Sequence, residues 1–123
     1  YLGKRIAFNK PIITNQGIQW TLAELSAEIE AGRWMVYRTA SLMDSGKPVA
    51  VQAAMNKLYA TDLAMKVTTS CTQLWGANGY DQKSLVSRYM ALSNLFQILV
   101  KIFPFIFLLF IQHIRCKKLP QLQ

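Results

Sequence analysis

The chain has 123 residues, 14 Lys or Arg, six Asp or Glu and a net charge of +8, enough for one small domain or part of a larger one. All six acids lie before Met90, and the 33 residues after it carry Lys101, Arg115, Lys117 and Lys118 with no acid at all. Basic residues up to Met90 are scattered singly rather than gathered on one face among aromatics, which speaks against nucleic-acid binding.

The segment Arg5-Ile6-Ala7-Phe8-Asn9-Lys10-Pro11-Ile12 comes first. Its Lys10-Pro11 step forces an extended approach to the helix that follows. Ile18, Leu22, Leu25, Ile29, Gly32, Val36, Ala40 and Met43 then recur every three or four positions, one stripe of a single long helix. Continuous from Ile13 to Met43, that helix would be about 45 Å long. Gly32 within the stripe costs roughly 0.5–1 kcal/mol relative to Ala and implies that another backbone passes close by. Asp44-Ser45-Gly46 stops the helix, with Gly46 suited to a left-handed cap.

A second helix is expected from near Pro48. On it Ala60, Ala64, Val67, Cys71 and Leu74 make one stripe and Val51, Met55 and Leu58 another, so packing on two sides follows. The short loop makes the two helices antiparallel neighbours, and no run alternates long enough to be a strand. After them Trp75-Gly76-Ala77-Asn78-Gly79-Tyr80 provides a sharp turn or a close approach to a ligand. The fold class is all-α: a partial up-down bundle of two long helices and a short third, followed by an apolar tail helix. Two such helices bury little, so further chain or a partner is expected to complete the core.

No catalytic or metal-binding constellation stands out. Glu24, Glu28, Glu30, Asp44, Asp62 and Asp81 read as solvated helix-face or turn charges, and His113, the only histidine, has no carboxylate near it in the tail. Cys71 and Cys116 lack metal-ligand spacing and suggest a reducing compartment. Tyr1 is not an initiator Met, and no charged stretch leads an apolar run there, so a signal peptide is expected to be absent or removed.

Five motifs in register resemble the C-terminal helical domain of the acyl-CoA dehydrogenase family. Arg5, Phe8, Lys10, Pro11 and Ile12 stand where the family carries Arg-x-x-Phe-Gly-Lys-Pro-Ile, and Gln16 follows as the family's Gln at the helix start. Ala23-Glu24 through Tyr37-Arg38 read like its long bundle helix, and Ala53 to Leu58 with Ala64 to Thr69 like the next. Gln73-Leu74-Trp75-Gly76-Ala77-Asn78-Gly79-Tyr80 is similar to Gln-x-x-Gly-Gly-x-Gly-Tyr, and Val86-Ser87-Arg88-Tyr89-Met90 to Val-Glu-Arg-x-Met. The resemblance covers residues 1–90, the first expected domain; residues 91–123 do not share it.

The resemblance implies α,β-dehydrogenation of an acyl-CoA thioester with FAD, held across a subunit interface. Arg5, Gln16, Gln73 and Gly76 match its FAD-contact positions, with Ala7, Phe8 and Ala77 beside them in the implied cofactor-binding set. A guanidinium suits a pyrophosphate, and small residues let main-chain groups near it. Ala7 replaces a usual polar side chain, Asn9 a glycine and Ala77 the second glycine of a pair; ordinary backbone angles would suit Ala77 and positive φ would strain it. The family's catalytic Glu lies beyond the Met90 position or before Tyr1, so the chain is expected to be inactive alone. Implied partners are acyl-CoA, electron-transfer flavoprotein, and a homo-oligomer or the family's other domains. Implied locations are mitochondria in a eukaryote and the cytoplasm in a bacterium.

The tail has two readings. Of residues 95–114, fifteen are Leu, Ile, Val or Phe, about the length of a bilayer crossing. They favour insertion by roughly 4–9 kcal/mol against up to about 3 for Lys101, with Lys101 able to snorkel and Arg115, Lys117 and Lys118 flanking the span. That reading makes the chain a tail-anchored, non-enzymatic interaction module. The other takes the tail as an aberrant splice product, because family likeness stops inside a motif rather than at a linker.

Overall fold

The structure is a computed structural model and describes residues 1–102. Two-residue strands β1 (Ile6–Ala7) and β2 (Lys10–Pro11) open it, followed by a 3-10 turn over Ile12–Thr14 and helices α1 (Gln16–Asp44), α2 (Ala50–Trp75), α3 (Ala77–Tyr80) and α4 (Leu85–Ile102). Helix α2 lies in the middle, packed along α1 and along α4. The bundle is the all-α architecture expected from the sequence.

The strands are an unexpected addition. Ile6 pairs with Pro11 and Ala7 with Lys10 around a two-residue loop in which Phe8 (φ 53°) and Asn9 (φ 61°) both take positive φ. Paired positive φ values are the signature of a type I′ hairpin turn. Asn tolerates that region, so Asn9 in place of the family's glycine keeps the turn. Two-residue strands are too short to leave an alternating pattern.

Helix α1 is 29 residues long, about 43 Å, and starts three residues later than the expected Ile13 because Ile12–Thr14 wind more tightly. Its end is a Schellman motif: Gly46 has φ +73°, its N–H donates to the Met43 carbonyl at 3.1 Å, and the Lys47 N–H donates to Leu42 at 3.1 Å. Gly46→Ala should cost about 1–2 kcal/mol by placing a side chain in left-handed backbone; an unchanged urea midpoint would show that the cap relaxes. Helix α2 begins at Ala50, two residues past Pro48, with Val49 as cap. Ser84 caps α4, its Oγ accepting from the Ser87 N–H at 3.1 Å. α4 then runs through Met90 without a break, so the change in composition there is not a change in backbone.

Few apolar side chains are fully buried: Ile12, Leu25 and Ala53. Polar residues occupy the closest helix contacts instead. Thr39 is 1 % exposed and Asn56 3 %; Asn56 Nδ2 donates to Thr39 Oγ1 at 2.8 Å and to the Met35 carbonyl at 3.2 Å. Thr72 is buried where α2 meets α4, and its hydroxyl donates to Met90 Sδ at 3.4 Å. No buried side-chain polar atom among the described residues lacks a partner, as a low-dielectric core requires.

Gly32 does meet a close neighbour, though not a backbone: an added Cβ would lie 3.1 Å from the Tyr59 ring. That ring is held by its hydroxyl, which donates to the Glu28 carbonyl at 3.2 Å. Beside it Lys66 pairs with Glu28, and this hydrogen bond raises the Lys66 pKa above its ordinary value. The pair therefore contributes below the unfolded lysine's pKa and is lost as pH rises through the folded one. The second stripe on α2 has no partner within the described residues, since Val51, Met55 and Leu58 are all exposed. Trp20 and Trp34 on α1 are exposed as well. Large apolar side chains are thus left exposed over a thin core.

Among the described residues no helix is long and apolar enough to cross a membrane. The expected span 95–114 falls mostly outside them, since only its portion up to Ile102 belongs to α4.

Candidate functional site

The hairpin and the end of α2 meet around Tyr1. Its ring stacks on Trp75 with centroids 4.4 Å apart and planes 18° apart, and its hydroxyl donates to the Trp75 carbonyl at 3.3 Å. The same oxygen accepts from Asn78 Nδ2 at 2.8 Å and from Arg5 Nη1 at 3.2 Å. Arg5 Cζ also lies 5.9 Å from the Tyr1 ring centroid, within cation–π range. Two segments more than seventy residues apart are thus gathered on one phenol.

Gly76 forms the floor. It caps α2 with φ 59° and ψ −139°, a combination essentially confined to glycine, and Arg5 Nη1 stands 3.5 Å from where its Cβ would be. Its N–H donates to the Gln73 carbonyl at 3.1 Å, and the Gly79 N–H donates back to Gly76 at 2.9 Å, closing a tight turn into α3. Ala77, the first residue of α3, is absent from the residues with positive φ, so its methyl is unstrained. Gly79 serves packing: a Cβ there would fall 2.7 Å from the Thr72 carbonyl oxygen and 3.1 Å from Thr72 Cα.

The fold therefore brings Arg5, Gly76 and Ala77 together, with Gln73 joined through its carbonyl. Ala7 lies in β1, half-buried, and Gln16 is exposed at the start of α1. Phe8 is 97 % exposed at the hairpin tip, where its ring is free to meet a group outside this chain. Arg5 takes part in no ion pair among the described residues, which leaves its guanidinium charge available to an anion. Tyr1 and Asn78 were missed as site residues. The signals were a phenol four residues ahead of Arg5 and an amide between two glycines, neither of which has meaning before the hairpin docks. No group of three or more His, Cys, Asp or Glu able to hold a metal occurs among the described residues.

A helical bundle with an N-terminal hairpin docked beside a glycine turn defines the class, and comparison with known proteins gives the family. The family model described as acyl-CoA dehydrogenase, C-terminal domain, matches residues 1–100, and the chain belongs to that family. The match runs through all but the last two residues of α4, ten residues beyond Met90. A short-chain specific acyl-CoA dehydrogenase of Megasphaera elsdenii is 40 % identical over 98 residues, covering 80 % of this chain and 26 % of that protein. Cyclohexane-1-carbonyl-CoA dehydrogenase of Geobacter metallireducens is 40 % identical over 95 residues, 77 % of this chain and 25 % of that one. The structure of butyryl-CoA dehydrogenase from M. elsdenii superposes with a TM-score of 0.78 at 39 % identity, covering 81 % of this chain and 26 % of that chain. A second structure with TM-score 0.78 and 38 % identity is described as the electron transferring flavoprotein of Acidaminococcus fermentans. The chain spans about a quarter of the length of these relatives.

Proposed function

We propose that this chain supplies the flavin-edge portion of a FAD-dependent acyl-CoA dehydrogenase and is inactive by itself. One observation carries the reading: the Arg5 guanidinium, in no ion pair among the described residues, is held by Tyr1 over the glycine-only backbone of Gly76. A planar cation above main chain without a side chain suits the pyrophosphate of a dinucleotide. Gln16 and Gln73, both exposed, offer amides to the same ligand, and Phe8 offers a ring face. When bound, the flavin would accept a hydride from an acyl-CoA thioester, the redox step such cofactors supply. The chain's own part is to neutralise charge and position the cofactor; the base that removes the α-proton belongs to protein outside it. Electron-transfer flavoprotein is the proposed acceptor. The proposed location is the mitochondrion in a eukaryote or the cytoplasm in a bacterium.

The test is flavin retention. The chain alone should purify colourless, and co-expression with the domains that make up the rest of a relative should give stoichiometric visible flavin absorbance. In that complex Arg5→Ala should weaken FAD roughly 10- to 150-fold, the worth of hydrogen bonds to a charged group, read by flavin fluorescence on dilution. Stoichiometric flavin on the chain alone would refute the need for complementation, and a colourless complex would refute the FAD reading.

A further inference from the structure

Helix α1 carries a second apolar face, turned away from the bundle. Leu25 is buried on the inner side, and at about 100° per residue Ala27 stands about 160° round the helix from it. Trp20, Ala27 and Trp34 follow one another at seven-residue steps along that outer line, with Ala23 and Ala31 on its two flanks, and all five are exposed. Trp20 keeps 63 % and Trp34 68 % of its surface in solvent. Tyr37 braces the Trp34 ring edge-on, with centroids 6.0 Å apart, so that ring has less freedom to lose on docking.

We propose that this face docks against the same face of a second copy of the chain, the two α1 helices running antiparallel with Ala27 at the two-fold axis. The placement of the aromatics argues for that occupant. They stand symmetrically, seven residues before and after Ala27, so one rotation sets each Trp20 beside the second copy's Trp34, as an isologous contact requires. The small side chain at the axis permits a short distance between helices, and the rings close the contact at both ends.

Charge and area agree with this pairing. Glu24 and Glu30 lie on opposite flanks of the face; the rotation brings the first to the second copy's Ala31 and the second, already paired with Arg33, to its Ala23. No carboxylate therefore meets another across the contact. A parallel pair would crowd both hairpins, each with Lys4, Arg5 and Lys10, at one end. The antiparallel pair separates them by roughly the length of α1, several times the screening distance of about 8 Å, and opposes the helix dipoles. At these exposures the four tryptophans of two copies present roughly 400–650 Å². That is about a third of what a stable interface buries, with the alanines and Tyr37 adding to it along the helix.

Sedimentation velocity on the full chain should show a dimer. Trp20→Glu with Trp34→Glu should raise its dissociation constant roughly 100-fold or more, the scale of hot-spot aromatics, with unchanged helical circular dichroism. Independently, a full chain carrying Ala27→Cys should form, under copper-phenanthroline, a disulfide between two copies that joins position 27 to position 27, identified by peptide mass. Ser26→Cys, exposed but off the face, should not, and this comparison decides the matter even if the double tryptophan variant loses helix. A monomer at every concentration, a dimer indifferent to both tryptophan changes, or a missing position-27 link overturns the proposal. Sedimentation with phosphatidylserine vesicles in place of dimerisation would assign the face to a membrane surface and overturn it as well.

Discussion

Gly79→Ala should be the most damaging single methyl in this fold, lowering stability by about 3 kcal/mol, at the upper end for overpacking. The added carbon would meet the Thr72 carbonyl oxygen at 2.7 Å and Thr72 Cα at 3.1 Å, and backbone inside a helix cannot swing aside as a side-chain end does. Relief requires α3 to lift from α2. That movement carries Asn78 away from Tyr1 Oη and loosens the grip on Arg5. The substitution should therefore lower the urea midpoint of the helical signal and, in the flavin-bearing complex proposed above, weaken FAD as well. A midpoint shift equivalent to under 0.5 kcal/mol, the usual size for an unimportant surface change, would show that the turn adapts. Gly76→Ala should act at the same site by a different cause, strain of about 1–3 kcal/mol from its backbone angles.

Asn56→Ala should cost about 2 kcal/mol. It removes both hydrogen bonds that tie α2 to α1 at Met35 and Thr39 and leaves a small cavity at a nearly fully buried position. Thr39→Val alone should cost about 1 kcal/mol, because Asn56 keeps its bond to the Met35 carbonyl. The informative variant is the pair Thr39→Val with Asn56→Leu. Replacing both partners with apolar groups leaves no amide without its hydroxyl, so the double variant should be less destabilised than the two single changes combined. Strict additivity in a double-mutant cycle on denaturant midpoints would show that the two residues do not act as a unit.

The polar contact was not legible in the sequence. Helical periodicity identifies apolar stripes, and Leu25 on the α1 stripe is indeed buried, but Ile29 from the same stripe keeps 39 % of its surface exposed while Thr39, a polar residue at the stripe's edge, is the most buried residue of α1. Short polar side chains let helices approach closely and are satisfied across the gap, which no hydropathy pattern registers. The glycines divide in the same way. Gly46 was readable because a helix cap is local chemistry, whereas Gly32 and Gly79 answer to a tyrosine ring and a helix backbone brought to them by packing.

Sequence alone determined the two long helices, their antiparallel order, the stop at Gly46 and the family, read over residues 1–90 and extended to residue 100 by the family model. Those depend on period, capping and motifs, all written within a few turns of chain. Tertiary structure decided that Phe8 and Asn9 form a hairpin turn, that Tyr1 and Asn78 gather Arg5 onto Gly76, and that the second stripe of α2 lies bare. The hairpin is local but too short to leave a pattern; the other two are a contact, or the lack of one, between segments tens of residues apart, which only packing brings within bonding distance.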